Sequence, residues 1–311
     1  MRCLVTGATG HIGSHLVRYL LDRNVEVAAL VRPTTGNLWR IKDMFPRLHL
    51  INGDLAAIDE AAAAIRDFAA DTVFHLGWHG VSGRHRNDPA QVTQNVYGSL
   101  RLLELAHEVG CKRWIGLGSQ AEYGVCNGVL TEDMPTRPVT TYGVAKLCLG
   151  LLSEKLCQAY GIGFTWLRFT AAYGPMDDRD HMIPQVILKL LQGEKPSLTP
   201  GEQRWDYLYV EDVATAIWQA ASHPVAQGIF NLGSGEAHTV HSIVECIRDL
   251  IDPGLPLGFG EVPYRPDQIM HLQADISRLR QVTGWSPQVS LDEGLRRTVE
   301  WYRENRRHYG Q

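Results

Sequence analysis

Several absences narrow the reading of this 311-residue chain before any motif is considered. Its 6 cysteines, at Cys3, Cys111, Cys126, Cys148, Cys157 and Cys246, never form a C-x-x-C pair. That spacing sets aside disulfide frameworks and zinc sites and suits buried thiols in a reducing compartment. No run of Lys or Arg interrupts a formal net charge of -4, so no nucleic acid partner is expected, because backbone phosphates demand a concentrated basic surface. No apolar run reaches the length that spans a bilayer, so no membrane association is expected. A strand candidate begins at Arg2, directly after Met1, which predicts no signal peptide and a cytoplasmic location. Repeats, low-complexity tracts and flexible linkers are missing too. No metal site is predicted; His79, His85 and His181 stand as isolated imidazoles near loops that border a cleft.

What is present is a globular composition, 44% hydrophobic, and a rhythm. Short β-branched or apolar runs at 2–6, 26–31, 48–52, 72–75, 113–117 and 164–169 alternate with helical stretches at 12–22, 56–70, 95–109 and 142–160. This is the βαβ pattern of a parallel sheet covered on both faces. The expected fold class is α/β, a Rossmann-type doubly wound parallel sheet with a smaller C-terminal substrate-binding lobe. From Pro175 onward, prolines at 184, 196, 200, 224, 253, 256, 263, 266 and 287 cut the chain into shorter pieces. The expected division is a dinucleotide-binding domain over 1–174, completed by about 206–235, with 175–205 and 236–311 forming the lobe.

Thr6-Gly7-Ala8-Thr9-Gly10-His11-Ile12-Gly13 joins the first strand to the first helix. Glycines there permit a tight turn and a close approach to a pyrophosphate, while the helix start offers free N–H groups. Gly7, Gly10, His11, Ile12 and Gly13 are therefore candidate dinucleotide ligands, joined at the same sheet edge by Asp54-Leu55 and Leu76-Gly77. The second strand ends in Val31-Arg32 with no acidic residue to meet a ribose 2′-hydroxyl. An Arg there pairs with a 2′-phosphate, which favours NADP(H) over NAD(H), with Arg40 as a helper. Alternatively Arg32 is a solvated surface charge and either cofactor is accepted. Tyr142 and Lys146, four apart, share one helix face, so the ammonium is expected to lower the phenol pKa; Ser119, ending the fifth strand, completes a catalytic set.

With these motifs on the chain, the sequence resembles the extended short-chain dehydrogenase/reductase family, in its nucleotide-sugar epimerase, dehydratase and 4-ketoreductase group. The likeness runs almost end to end: Gly7 to Gly13, His75-Leu76-Gly77, Asn95-Val96-Tyr97-Gly98, Gly118-Ser119-Gln120-Ala121-Glu122-Tyr123-Gly124, Tyr142 with Lys146, Leu167-Arg168-Phe169, Tyr173-Gly174-Pro175, Asp206 to Ala214, Asn231-Leu232-Gly233-Ser234-Gly235, Arg265-Pro266-Asp267 and Gly284-Trp285-Ser286-Pro287. The resemblance implies that Tyr142 is the acid/base, that Lys146 orients it and the nicotinamide ribose, that Ser119 polarises the substrate oxygen, and that Asn95 shapes the site. A homodimer through the helices 95–109 and 142–160 is implied likewise. Dehydratases of the group carry acidic residues after the catalytic Ser or Thr, where this chain has Gln120 and Ala121; Glu122 should point elsewhere by strand alternation. Hydride chemistry at C4 remains. The expected activity is NADPH-dependent reduction of a nucleotide-activated 4-keto-6-deoxyhexose in deoxysugar biosynthesis, with an NAD-dependent nucleotide-sugar 4-epimerase as the alternative. A non-catalytic dinucleotide sensor would have lost the Tyr-Lys pair, which is intact. Gln120, Arg168, Arg204 and Arg265 are the substrate-side candidates. Two departures, Ala171 for the diphosphate-binding Asn and Trp205 for an Arg, leave the nucleotide open.

Overall fold

A computed structural model describes residues 1–35, 37–81, 83–266 and 268–310. Seven strands form its principal sheet: β1 Arg2–Thr6, β2 Glu26–Val31, β3 Leu48–Asn52, β4 Thr72–His75, β5 Arg113–Leu117, β6 Gly163–Phe169 and β7 Gly228–Leu232. All pairings are parallel, and the strands lie in the order β7, β6, β5, β4, β1, β2, β3. The chain starts in the interior at β1, builds outward to β3, then returns to lay β4 on the other side of β1. The reversal opens a crevice between the C-terminal ends of β1 and β4, where open α/β sheets bind ligands. Register puts Thr6 level with His75 and His75 level with Gly116, so the residues that follow these strands emerge at one edge.

Burial on both faces explains the apolar strands. One face is covered by α1 His11–Leu21 and α6 Val210–Ser222, which bring Leu16, Val17 and Leu20 against Val213, Ala216 and Ile217. The other is covered by α2 Ala62–Phe68, α3 Tyr97–Glu108 and α4 Thr141–Tyr160, with Phe68, Leu102, Leu105 and Leu149 in its core. A third cluster unites α5 Met182–Leu191, α7 Val240–Ile251 and α9 Leu291–Asn305 through Ile187, Ile247 and Leu295. Between α7 and α9 lies the short α8 Ser277–Thr283.

Two predicted helices differ in detail. Over 56–70 the chain makes a 3-10 stretch, Leu55–Ala61, before α2, because Ala57 leaves helical geometry at φ -134. Ahead of α3, residues Gln91–Val96 form a wide π-type coil. The boundaries of α4 are written in its sequence: the Thr140 hydroxyl accepts from the Gly143 N–H at 3.1 Å, and Gly161 ends the helix at φ 69, a left-handed conformation open to glycine at little cost. Among the described residues no helix is long and apolar enough to cross a membrane.

Candidate active site

The glycine-rich turn is packed so tightly that side chains are excluded. Gly7 sits at φ 69, and a Cβ on it would stand 2.8 Å from the Gly77 nitrogen; one on Gly13 would stand 2.0 Å from the Gly7 carbonyl oxygen. The turn after β1 is thereby pressed onto the turn after β4, bringing Leu76 and Gly77 against Gly7. Helix α1 begins at Gly10 without a side-chain cap, so its first-turn N–H groups are left for a ligand. An anionic pyrophosphate fits that cradle.

A buried hydrogen-bond chain locks the crevice. Ser99 gives its proton to the Asn95 carbonyl at 2.6 Å, so its oxygen must accept from His75 Nε2 at 2.9 Å. His75 Nδ1 then accepts from Thr6 Oγ1 at 2.9 Å, and Thr6 in turn accepts the Gly77 N–H at 2.9 Å. Burial pushes His75 down to about 3, which keeps it neutral for this relay of bonds. Asn95 clamps His79 from both sides, accepting its N–H at 2.6 Å and donating to its carbonyl at 3.1 Å. Asp54 accepts the Ala56 N–H at 3.1 Å, and Leu55 lies beside Gly77.

Arg32, one residue beyond β2, is exposed. Arg40 is not available as its helper, which corrects the expectation. It is 2% exposed and its guanidinium binds Met176 O at 2.8 Å, Thr9 O at 3.2 Å and Asp178 at 2.7 Å, strapping the glycine-rich turn to the segment after Pro175. His11 joins the same strap through Asp177 at 3.0 Å, and His181 reaches that carboxylate at 2.8 Å. His181 is therefore paired, and Asp177, despite burial, is held well below the usual carboxylate range by the two imidazoles. His79 and His85 face each other with ring centroids 6.3 Å apart.

Ser119, Tyr142 and Lys146 meet at the C-terminal end of β5. Ser119 caps the turn Gln120–Glu122, its oxygen accepting the Ala121 N–H at 3.1 Å, which leaves its own proton to donate. Lys146 donates to Leu117 O at 2.7 Å and lies 3.9 Å over the Trp78 ring; burial lowers it to about 7. Tyr142 is edge-on to the same indole, at 6.0 Å between centroids. The expected depression of its pKa by Lys146 does not hold here. Burial pushes the Tyr142 phenol up, and the opposing pull comes from the Ser119 hydroxyl and Arg86. Trp78 and Arg86 escaped the sequence reading, although Trp78 directly follows Leu76-Gly77, a position that faces the crevice by the topology alone.

On the substrate side, Gln120 Oε1 is buried without a hydrogen-bond partner, an acceptor waiting for a donor. Arg168 does not face substrate, a second correction. Its side chain is 5% exposed, pairs with Glu122 at 2.9 Å and stacks over Tyr123 at 4.7 Å. Glu122 lies in the 3-10 turn after β5 and is turned inward to the Ser119 N–H, Trp166 and Arg168, so the turn sets its direction, where strand alternation was the expected cause. Arg204 donates to Ala237 O at 2.7 Å beside Trp205, and Arg265 is exposed, while Asp267 of its motif lies outside the described residues. Among the described residues no three His, Cys, Asp or Glu side chains are grouped to hold a metal ion.

Residues 3–233 match the model of the NAD dependent epimerase/dehydratase family, and the chain belongs to that family. It is 27% identical over 314 residues to a UDP-glucuronate 4-epimerase of Thermodesulfobacterium geofontis, covering 97% of this chain and 96% of that one. A solved UDP-glucose 4-epimerase of Thermus thermophilus, in complex with NAD, superposes with a TM-score of 0.88 at 28% identity, over 98% of this chain and 100% of that chain. A dTDP-glucose 4,6-dehydratase of Streptomyces venezuelae with NAD and TYD bound also reaches 0.88 at 28% identity, over 98% of each chain. The Rossmann-type parallel sheet and the extended short-chain family resemblance read from the sequence are confirmed.

Proposed function

We propose that the chain epimerises C4 of a nucleotide-activated hexose, using a pyridine dinucleotide that stays on the protein. The observation that carries this reading is the meeting of Ser119, Tyr142 and Lys146 at the crevice, with an amide and a methyl group at positions 120 and 121 where elimination of water would require carboxyl groups. The 4-epimerases among the relatives and solved structures favour this reading over the 4-ketoreductase expected from Arg32.

A bound nicotinamide supplies an acceptor that takes a hydride and can give it back. The chain's own residues handle the proton and the orientation. Tyr142 Oη exchanges a proton with the C4 oxygen of the sugar, and Ser119, whose hydroxyl also acts on the Tyr142 phenol, donates a hydrogen bond to that oxygen as it becomes a carbonyl. Lys146, its charge weakened by burial, offers its remaining donors to a ribose while Leu117 O and Trp78 fix the side chain. Gln120 Oε1 accepts from a sugar hydroxyl, satisfying a buried acceptor. Arg265 and Arg204 hold the diphosphate of the sugar nucleotide. A homodimer is proposed as well, because Tyr97 on α3 and Val144, Leu151 and Leu152 on α4 expose apolar surface on adjacent helices.

The test is to denature the purified protein, identify the released dinucleotide, and offer UDP-, dTDP-, GDP- and CDP-hexoses without added reductant. Stoichiometric NAD and interconversion of a C4 epimer pair are expected. An empty site with turnover only at the expense of added NADPH would overturn epimerisation and favour the ketoreductase. The one observation on that side is Arg32, exposed after β2 with no acidic residue in its place.

A further inference from the structure

Glu122 is 1% exposed and lies under the site rather than in it. Its Oε1 accepts the Ser119 N–H at 2.8 Å and the Trp166 indole N–H at 3.0 Å, and its Oε2 accepts from Arg168 Nε at 2.9 Å. Ser119 and Glu122 thus cap each other, which fixes the backbone that aims the Ser119 hydroxyl. Trp166 lies in a slot where any Cβ would collide: 2.3 Å from its ring atoms at Gly116 and at Gly118, and 2.9 Å at Gly150. Gly150 is one helical turn beyond Lys146, on the same face of α4. The indole therefore sets the height of α4 above β5, and its only polar atom is held by the carboxylate that holds Ser119.

We propose that Glu122 is a positioning residue for the reaction: one buried carboxylate fixes Ser119 relative to Tyr142 and Lys146 and places a negative charge beneath that pair. Arg168, 2.9 Å from the Glu122 carboxylate, is the partner whose positive charge opposes the burial that pushes that carboxyl up. The charge acts on both members of the pair, favouring the ammonium of Lys146 and disfavouring the phenolate of Tyr142. The other groups facing this cluster are Arg86 beside Tyr142, His75 near Lys146, and Tyr123 and Glu132, whose backbone carbonyl accepts from Arg168 at 3.5 Å.

This inference rests on the reading of Ser119, Tyr142 and Lys146 as the working set, so its test does not depend on turnover. In the purified holoenzyme, competitive acetylation with acetic anhydride across pH, followed by mass spectrometry of the Lys146 peptide, gives the Lys146 pKa. Glu122→Gln keeps the size and an acceptor while removing the charge, and should lower that pKa by about one unit. Arg168→Met, which lets burial neutralise Glu122, should shift it in the same direction and serves if the first variant does not fold. Loss of stability with a wild-type Lys146 titration, in whichever variant folds, would overturn the proposal and reduce Glu122 to a structural ion pair. Failure of every sugar nucleotide to react would instead defeat the epimerase reading and leave the Lys146 shift as the measure of Glu122.

Discussion

Two imidazoles make the stability of this fold depend on pH in a way that can be worked out residue by residue. His15, in the core under the glycine-rich turn, and His75, in the relay between β1 and α3, are each lowered from 6.5 to about 3, with burial the largest cause. The folded chain refuses a proton at both positions, whereas the unfolded chain accepts one as pH falls through 6.5. The sign follows: their contribution is fully present above 6.5 and is lost as pH falls toward about 3. Each pH unit below the unfolded pKa costs about 1.4 kcal/mol per residue, so by about pH 5 each imidazole should remove roughly 2 kcal/mol. Both together remove roughly 4 kcal/mol, a large share of the ~5–15 kcal/mol that holds a domain folded.

His181 works in the opposite direction, since its bond to Asp177 raises its pKa, but half of its side chain is exposed and solvent screens the gain. The assay is urea unfolding at about pH 7.5 and about pH 5, comparing wild type with His15→Gln and His75→Gln. Each variant starts less stable, because bonds to Pro175 O or to Thr6 and Ser99 are altered. The decisive quantity is the loss between the two pH values, which should be smaller than wild type by roughly 2 kcal/mol in each variant. A loss identical to wild type would refute the reasoning, because it would mean that the imidazole is charged or solvated in the folded state.

Other outcomes follow from the site. Tyr142→Phe should lower kcat by about 10²–10⁴-fold while dinucleotide affinity, read by tryptophan fluorescence, stays within about 3-fold; retained turnover would remove Tyr142 as the proton donor. Gly13→Ala places a Cβ 2.0 Å from the Gly7 carbonyl, so the turn must open and dinucleotide affinity should collapse, and an unchanged titration would show that the turn is not the pyrophosphate cradle. Arg32→Asp should weaken NADPH relative to NADH by about 10-fold or more if Arg32 meets a 2′-phosphate, and an unchanged ratio would make it a solvated charge. Gel filtration with light scattering should return a dimer, dissociated by Leu151→Glu on the exposed face of α4; a monomeric active wild type would contradict the helix-face interface.

The parts of this molecule that were legible in the sequence are those whose cause is local. Strand runs and helix periods are read within a few residues, so the sheet, the turn from Gly7 to Gly13 and the Tyr142–Lys146 spacing were all visible. Arg40 was misread because the acceptors that confine it, Thr9 O and Met176 O, are backbone carbonyls 31 and 136 positions away, and a carbonyl leaves no mark in a sequence. Arg168 was misread because its partner Glu122 lies 46 positions earlier on the neighbouring strand's exit turn, and pairing across strands depends on register. Tyr142 stands one helical turn from Lys146 as the spacing implies, but burial pushes its phenol up where a downward shift was expected, since helix spacing reports who is near and says nothing of how much water has been removed.

That last error bears on how the site works. A phenol and an ammonium on one helix face would tune each other in water, but here both are buried, and desolvation outweighs their mutual effect. Burial alone drives Lys146 toward its neutral form and Tyr142 toward its protonated form, which would leave the pair without charge near neutrality. The groups that oppose this lie around the pair rather than within it: the Ser119 hydroxyl and Arg86 acting on Tyr142, and Glu122 acting on Lys146. A short motif on a helix therefore fixes where the phenol and the ammonium stand, and the groups around them, Ser119, Arg86 and Glu122, oppose the loss of charge that burial imposes.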